Sequence, residues 1–220
     1  MNLHEYTSEH EHLYRYLISA LDEPRRKRWV DFVESTADYA LRQRPLLESG
    51  DEFPGFGALD RAVAAANGPA VPSMRFLVLG FSFGYTFPFC GLAFKYMARL
   101  KEALVAKSAR FVCLFPPEDP PPMEEREGYA MVVDEDGAWA RACGLRMPLA
   151  RRFSALAKEI PWFLSKEPDS ANPHITLPGT CILTLGGVVR WLDLPVDVSR
   201  RLPPTEILDR IDREVLEPVR

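Results

Sequence analysis

The sequence predicts an α/β domain, a mixed central sheet flanked by helices, with a helical extension at its N-terminus. Three observations predict it. Residues 1–47 carry only helix-period patterning. Within 74–115 an apolar strand-length run, a helix-period segment and a second apolar run follow one another. Near the C-terminus two apolar runs are joined by Gly186-Gly187 and closed by an amphipathic segment.

The elements follow in order. Leu13, Leu17 and Leu21 recur every four residues and share one helix face. Asp22-Glu23-Pro24 reads as a stop and restart, with Pro24 at the first helical position. Trp29, Val33, Thr36, Ala37 and Ala40 continue a second apolar face to Arg42, and Pro45 ends it. Residues 1–47 are thus expected to form a helical hairpin that lays its apolar side on the 48–220 domain or on a second subunit. Residues 74–83 form a strand. A helix over 90–107 follows, with Leu92, Tyr96, Leu100 and Leu104 on its buried face, and then a strand over 110–115. Strand, helix, strand makes the two strands parallel. The acidic, proline-rich 118–128 is a loop, 129–133 a short strand, and Asp134-Glu135-Asp136-Gly137 a turn. A helix over 138–143 ends at Gly144, and 149–163 is helical but broken by Pro161. Residues 180–185 and 188–192 form a β-hairpin. A last helix, 204–216, turns Ile207, Leu208, Ile211 and Val215 inward.

Composition bounds the function. The 220 residues are 47% hydrophobic and 26% charged, enough to bury a core without disulfides or metals. With 27 basic and 31 acidic residues the net charge is −4, and no long basic tract is present, so nucleic acid is not an expected partner. No apolar run reaches the roughly 18–20 residues that span a bilayer, so no membrane is expected either. The start, Met1-Asn2-Leu3-His4-Glu5-Tyr6, lacks the basic and apolar regions of a secretory signal. Cys90, Cys113, Cys143 and Cys181 show no zinc-type pairing and are expected as thiols in the cytoplasm.

Cys90 is the residue with chemistry in it. It stands where an apolar strand hands over to a helix, in Phe81-Ser82-Phe83-Gly84-Tyr85-Thr86-Phe87-Pro88-Phe89-Cys90. A helix N-terminus offers free N–H groups and a positive dipole end, which favour thiolate, whereas an apolar setting opposes it. The plain alternative is a buried cysteine packed as a small apolar side chain. Phe83, Tyr85, Phe87, Pro88 and Phe89 are read either as core or as an apolar pocket for an organic substrate. Cys113, Cys143 and Cys181 are read as packing residues, Cys181 being the nearest to the Cys90 helix start. His174 is the one imidazole placed to serve as a base. Glu9-His10-Glu11-His12 lacks the i,i+4 spacing of a helical metal site, and Arg25-Arg26-Lys27-Arg28 is a solvated face. No cofactor and no metal are expected. Gly186-Gly187 precedes no helix and is not a phosphate loop.

The element order resembles the thioredoxin fold, and the motifs resemble the peroxiredoxin-like branch of the alkyl hydroperoxide reductase/thiol-specific antioxidant (redoxin) family. Gly50-Asp51-Glu52-Phe53-Pro54-Gly55-Phe56 resembles its opening Gly-Asp-x-Ala-Pro-Asp-Phe, and 81–90 its Phe-Tyr-Arg-Gly-x-Trp-Cys-Pro-Tyr-Cys. Residues 133–145 resemble Leu-Ser-Asp…Ala-Arg-x-Phe-Gly-Leu. Leu177-Pro178-Gly179-Thr180 resembles Val-Pro-Ala-Thr, where the fold sets a proline facing the reactive cysteine. Asp197-Val198-Ser199-Arg200-Arg201 resembles Asp-Tyr-x-Arg-Arg. The resemblance spans residues 48–212 and implies a thioredoxin-like (peroxiredoxin-like) fold. It departs at the site. Phe87 stands where the first cysteine of Cys-x-x-Cys falls, Phe83 on the arginine and Thr86 on the tryptophan. The proline and threonine of the usual peroxiredoxin motif fall on Phe83 and Phe87, with Thr86 one residue out of register.

What the resemblance implies is a thiol-dependent oxidoreductase with one reactive, solvent-reachable cysteine. Cys90 attacks a peroxide or disulfide, Thr86 offers a hydrogen bond, Pro178 shapes the pocket, and an external small thiol resets the sulfur. The alternative is a redoxin scaffold diverted to binding or transforming an organic metabolite in a specialised biosynthetic route. A third reading is an interaction module whose helical hairpin docks a partner or a second copy, as in a homodimer.

Overall fold

The computed structural model describes residues 3–42, 46–67, 73–117, 119–120, 122, 130–160, 162–163, 173–195 and 197–216. Two helices open the chain, α1 (Leu3–Ser19) and α2 (Glu23–Arg42). Asp22 caps α2, its Oδ1 accepting from the Arg25 N–H at 3.0 Å, so Pro24 is the second helical residue rather than the first. Then come α3 (Phe56–Asn67), β1 (Phe76–Phe81), α4 (Pro88–Arg99), α5 (Lys101–Ala106), β2 (Ala109–Phe115), β3 (Ala130–Val133), α6 (Ala138–Ala142) and β4 (Arg146–Pro148). The chain continues through α7 (Arg151–Ser154), α8 (Leu156–Glu159), β5 (His174–Thr176), β6 (Gly179–Thr184), β7 (Val189–Asp193) and α9 (Pro204–Leu216).

Five strands form one mixed sheet in the order β3-β2-β1-β6-β7. β1 pairs parallel with β2, from Phe76 opposite Ala109 to Phe81 opposite Leu114, and β2 pairs parallel with β3. β6 runs antiparallel to both β1 and β7. This is the expected strand–helix–strand unit joined to a hairpin and a closing helix. β4 and β5 make a separate two-stranded sheet.

Side chains alternate across the sheet. Leu77, Leu79, Phe81, Val112, Leu114, Cys181 and Leu183 join the larger core, with Phe53, Leu59, Val63 and the α2 residues Trp29 and Phe32. Phe76, Val78, Ala109 and Ile182 face the other way, onto Met97, Leu104, Ile207 and Ile211. The helical extension is part of this packing: Leu17, Leu21, Trp29 and Phe32 are all buried in the larger core.

Four expectations are corrected. The helix expected over 90–107 starts at Pro88 and breaks at Leu100 into α4 and α5. The helix expected over 149–163 is two four-residue pieces, and Pro161 lies outside the described residues. Helix α3 and strands β4 and β5 were not expected. Val215 is exposed rather than inward, while Ile207 and Ile211 are buried. The 118–128 loop falls mostly outside the described residues.

Candidate active site

The β1–α4 turn is built to hold Cys90 in place. Ser82 continues β1, its N–H donating to the Leu114 carbonyl at 2.8 Å. Asp119, buried beyond the end of β2, then ties down the turn. Its Oδ2 accepts from the Thr86 N–H at 2.9 Å and the Thr86 hydroxyl at 2.7 Å, and its carbonyl accepts from the Tyr85 N–H at 3.0 Å. Glycine is required at 84, since a Cβ there would lie 2.4 Å from that same Oδ2. Pro88, with no N–H to satisfy, starts α4. Cys90 follows as its third residue, with its N–H donating to the Phe87 carbonyl at 2.9 Å.

Two donors meet the Cys90 sulfur. The Phe83 N–H reaches Sγ at 3.3 Å, and Arg201 Nη2 reaches it at 2.8 Å from 111 residues away. The guanidinium is fixed from its other side: Nη1 donates to the Val198 carbonyl at 2.6 Å and the Arg200 carbonyl at 2.7 Å, and the group lies 5.7 Å over the Phe87 ring. Those carbonyls belong to a turn shaped by Asp197, whose Oδ1 accepts from the Ser199 N–H and hydroxyl. Helix α1 clasps the turn from outside, His10 Nε2 donating to the Ser199 carbonyl at 2.7 Å. Both contacts are of a kind that strengthens when the acceptor carries charge.

Outside this cluster lies a cleft of about 610 Å³. Tyr6, His10, Tyr14 and Arg15 of α1 line one wall, and Ser199, Arg200 and Arg201 the other. Helix α1 is held there by α4. Glu9 accepts from Lys95 Nζ at 2.7 Å and the Tyr96 hydroxyl at 2.6 Å, and Arg99 pairs with Glu5 at 3.1 Å. The Lys95 and Tyr96 hydrogen bonds hold the Glu9 carboxyl below its usual range, and the bond to Glu9 is the largest cause pushing Tyr96 up to about 12.

The residues singled out from sequence sit as follows. Cys90 is wholly buried rather than solvent-reachable; Arg201, a residue that lines the cleft, contacts its sulfur. Thr86 gives its hydroxyl proton to Asp119. Phe83, Phe87 and Phe89 are not the wall of an open pocket. They are fully buried in an aromatic cluster in which Phe83 and Phe87 lie 4.5 Å apart and Phe32, Trp29 and Phe163 fill the surroundings. Tyr85 and Pro88 are half-buried. Pro178 is buried just before Gly179, which pairs with Phe81 at the end of β1. His174 is exposed on β5, opposite Pro148. Cys113, Cys143 and Cys181 are buried, as expected of packing residues, and the Cys181 thiol hydrogen-bonds Cys143, which that bond and burial push well above the ordinary thiol range. Cys113 is also pushed well above that range, mainly by burial and then by its electrostatic interaction with Cys90. Among the described residues no cluster of His, Cys, Asp or Glu is gathered for a metal, and no helix is long and apolar enough to cross a membrane.

Arg201, Tyr6 and His10 are the site residues that sequence reasoning missed. The only signal was the Arg200-Arg201 pair in the stretch resembling Asp-Tyr-x-Arg-Arg. Its contact with Cys90 exists only after folding.

No family profile matches the chain, and no curated protein matches it. Solved structures do. Reduced Prx3 from Vibrio vulnificus is 16% identical with a TM-score of 0.50, the match covering 76% of this chain and 99% of that one. The same protein in complex with hydrogen peroxide matches at 15% identity and a TM-score of 0.50, over 75% and 99% of the two chains. Peroxiredoxin Q from Xanthomonas campestris is 16% identical over 64% of this chain and 79% of that one, with a TM-score of 0.41. The two matches at a TM-score of 0.50 show that the chain has a peroxiredoxin-like thioredoxin fold.

Proposed function

We propose that this protein is a thiol-dependent peroxidase with one working cysteine, Cys90. The observation that carries the reading is Arg201 Nη2 at 2.8 Å from Cys90 Sγ, at the start of α4 and beside a cleft large enough for an organic molecule. A cation at the nucleophile favours thiolate and polarises an incoming O–O bond. The thiolate attacks one peroxide oxygen, the O–O bond breaks, and Cys90 becomes a sulfenic acid. The substrate approaches from the cleft that Arg201 lines. The Cys181 thiol is bonded to Cys143 and not to Cys90, so an external small thiol returns the sulfenic acid to the thiol through a mixed disulfide. A small organic peroxide and such a thiol are then the partners.

The test is turnover of cumene hydroperoxide with excess dithiothreitol. Wild type consumes peroxide, and Cys90→Ser does not. Equal consumption by both would overturn the reading. An intramolecular disulfide in the peroxide-treated protein would overturn its one-cysteine part.

A second reading is favoured by the complete burial of Cys90. On that reading the cleft binds an organic metabolite and the sulfur only packs. Cys90→Ser then keeps full function, and peroxide leaves residue 90 unchanged.

A further inference from the structure

Peroxide cleavage places a growing negative charge on the departing oxygen, and that oxygen needs a donor other than the groups holding the sulfur. Arg201 is largely committed, one nitrogen to Cys90 and the other to two carbonyls. Thr86 donates to Asp119. Among the described residues, a buried polar group of the cleft lacks a partner. The Tyr6 hydroxyl is buried without a hydrogen bond, although the residue is only 3% exposed. A buried donor left unpaired is costly, and a ligand atom in the cleft would satisfy it.

Tyr6 is held firmly in that position. Its ring packs edge-on against Tyr96 at 5.2 Å and lies 6.2 Å from His10. The helix carrying it is bonded to α4 through Glu9 and Glu5 and to the Arg201 turn through His10. Tyr6 and Arg201 line the same cleft.

We propose that Tyr6, supplied by the N-terminal helix, is a catalytic residue that donates its hydroxyl proton to the leaving oxygen of an organic hydroperoxide attacked by Cys90. The inference rests on the peroxidase reading of Cys90. The balance is simple. The Cys90 thiolate attacks the terminal OH oxygen of ROOH, an S–O bond forms and the O–O bond breaks. Sulfur is oxidised by two electrons to the sulfenic acid, and RO⁻ leaves with the bond pair. RO⁻ takes the Tyr6 proton to become ROH, and water in the cleft returns a proton to the phenolate. Burial pushes the Tyr6 phenol up to about 12, so it holds its proton at neutral pH, and both Arg201 and Cys90 act on it electrostatically. A phenol of that acidity still gives its proton downhill to an alkoxide. The chemistry makes α1 part of the active site rather than an appendage to it.

The test compares wild type with Tyr6→Phe, which keeps the ring and removes only the orphaned hydroxyl. The readouts are the rate of Cys90 sulfenic acid formation with cumene hydroperoxide, the rate of Cys90 alkylation by iodoacetamide, and the urea midpoint. The expected result is oxidation slowed about 100-fold, alkylation unchanged because departing iodide takes no proton, and stability equal or higher. Oxidation at the wild-type rate in Tyr6→Phe overturns the inference while leaving the peroxidase reading standing. An equal slowing of oxidation and alkylation also overturns it, assigning Tyr6 to packing. A wild-type protein whose Cys90 is not oxidised overturns both.

Discussion

Gly84→Ala tests how the turn before Cys90 is held. The new Cβ would stand 2.4 Å from Asp119 Oδ2, 3.0 Å from its Cβ and 3.1 Å from its Cγ. Swinging the carboxylate alone relieves only the first contact. Asp119 is buried, so it must move as a unit, and both bonds to Thr86, at 2.9 and 2.7 Å, go with it. Hydrogen bonds to a charged group are each worth about 1.5–3 kcal/mol. Losing two while keeping part of the packing gives a destabilisation of about 3 kcal/mol. Urea unfolding reads this as a lower midpoint with an unchanged slope. The same substitution made in an Asp119→Gly background meets neither the carboxylate nor the Cβ, so its cost falls below about 1 kcal/mol there. A single variant as stable as wild type, or an equal cost in both backgrounds, would refute the account of the turn.

Two further predictions concern the site's supports. Arg201→Ala removes the charge-assisted bond to the sulfur and slows Cys90 oxidation by cumene hydroperoxide roughly 30-fold, the equivalent of about 2 kcal/mol; time-resolved intact mass measures it, and an unchanged rate counts against Arg201. Glu9 titrates below its ordinary value of 4.5 because Lys95 and Tyr96 donate to it. A depressed carboxylate contributes stability above its unfolded pKa and loses it as pH falls through the folded value. Glu9→Gln is therefore less stable than wild type at neutral pH, and the difference in urea midpoint closes on acidification below pH 4.5. A difference that is constant with pH would exclude the ionised Glu9 as the clasp between α1 and α4.

Much of the fold was legible because the relevant signals are local. The uninterrupted apolar run at 76–81 needs both faces of a strand buried, and the Gly187 turn takes a φ of 82° that glycine adopts without strain. Other elements were not legible for equally local reasons. β4 and β5 have three residues each, too few to show a period. Helix α3 carries its buried pair, Leu59 and Val63, in an alanine-rich stretch with little contrast between faces.

The site divides the same way. Cys90 at a strand–helix junction could be read from its neighbours, whereas the occupation of Thr86 depends on Asp119, 33 residues on. The burial of Phe83 and Phe87 depends on Trp29 and Phe32 from α2. The arginine that contacts Cys90 comes from beyond β7, a proximity in space that no motif spacing reports.

The most direct test of the central claim is which sulfur peroxide oxidises in the native chain. Treatment with one equivalent of cumene hydroperoxide in the presence of dimedone, followed by peptide mass spectrometry of all four cysteines, gives the answer. The account predicts the adduct on Cys90, with Cys113, Cys143 and Cys181 unmodified. An unmodified Cys90, or labelling spread evenly over the four, would contradict it.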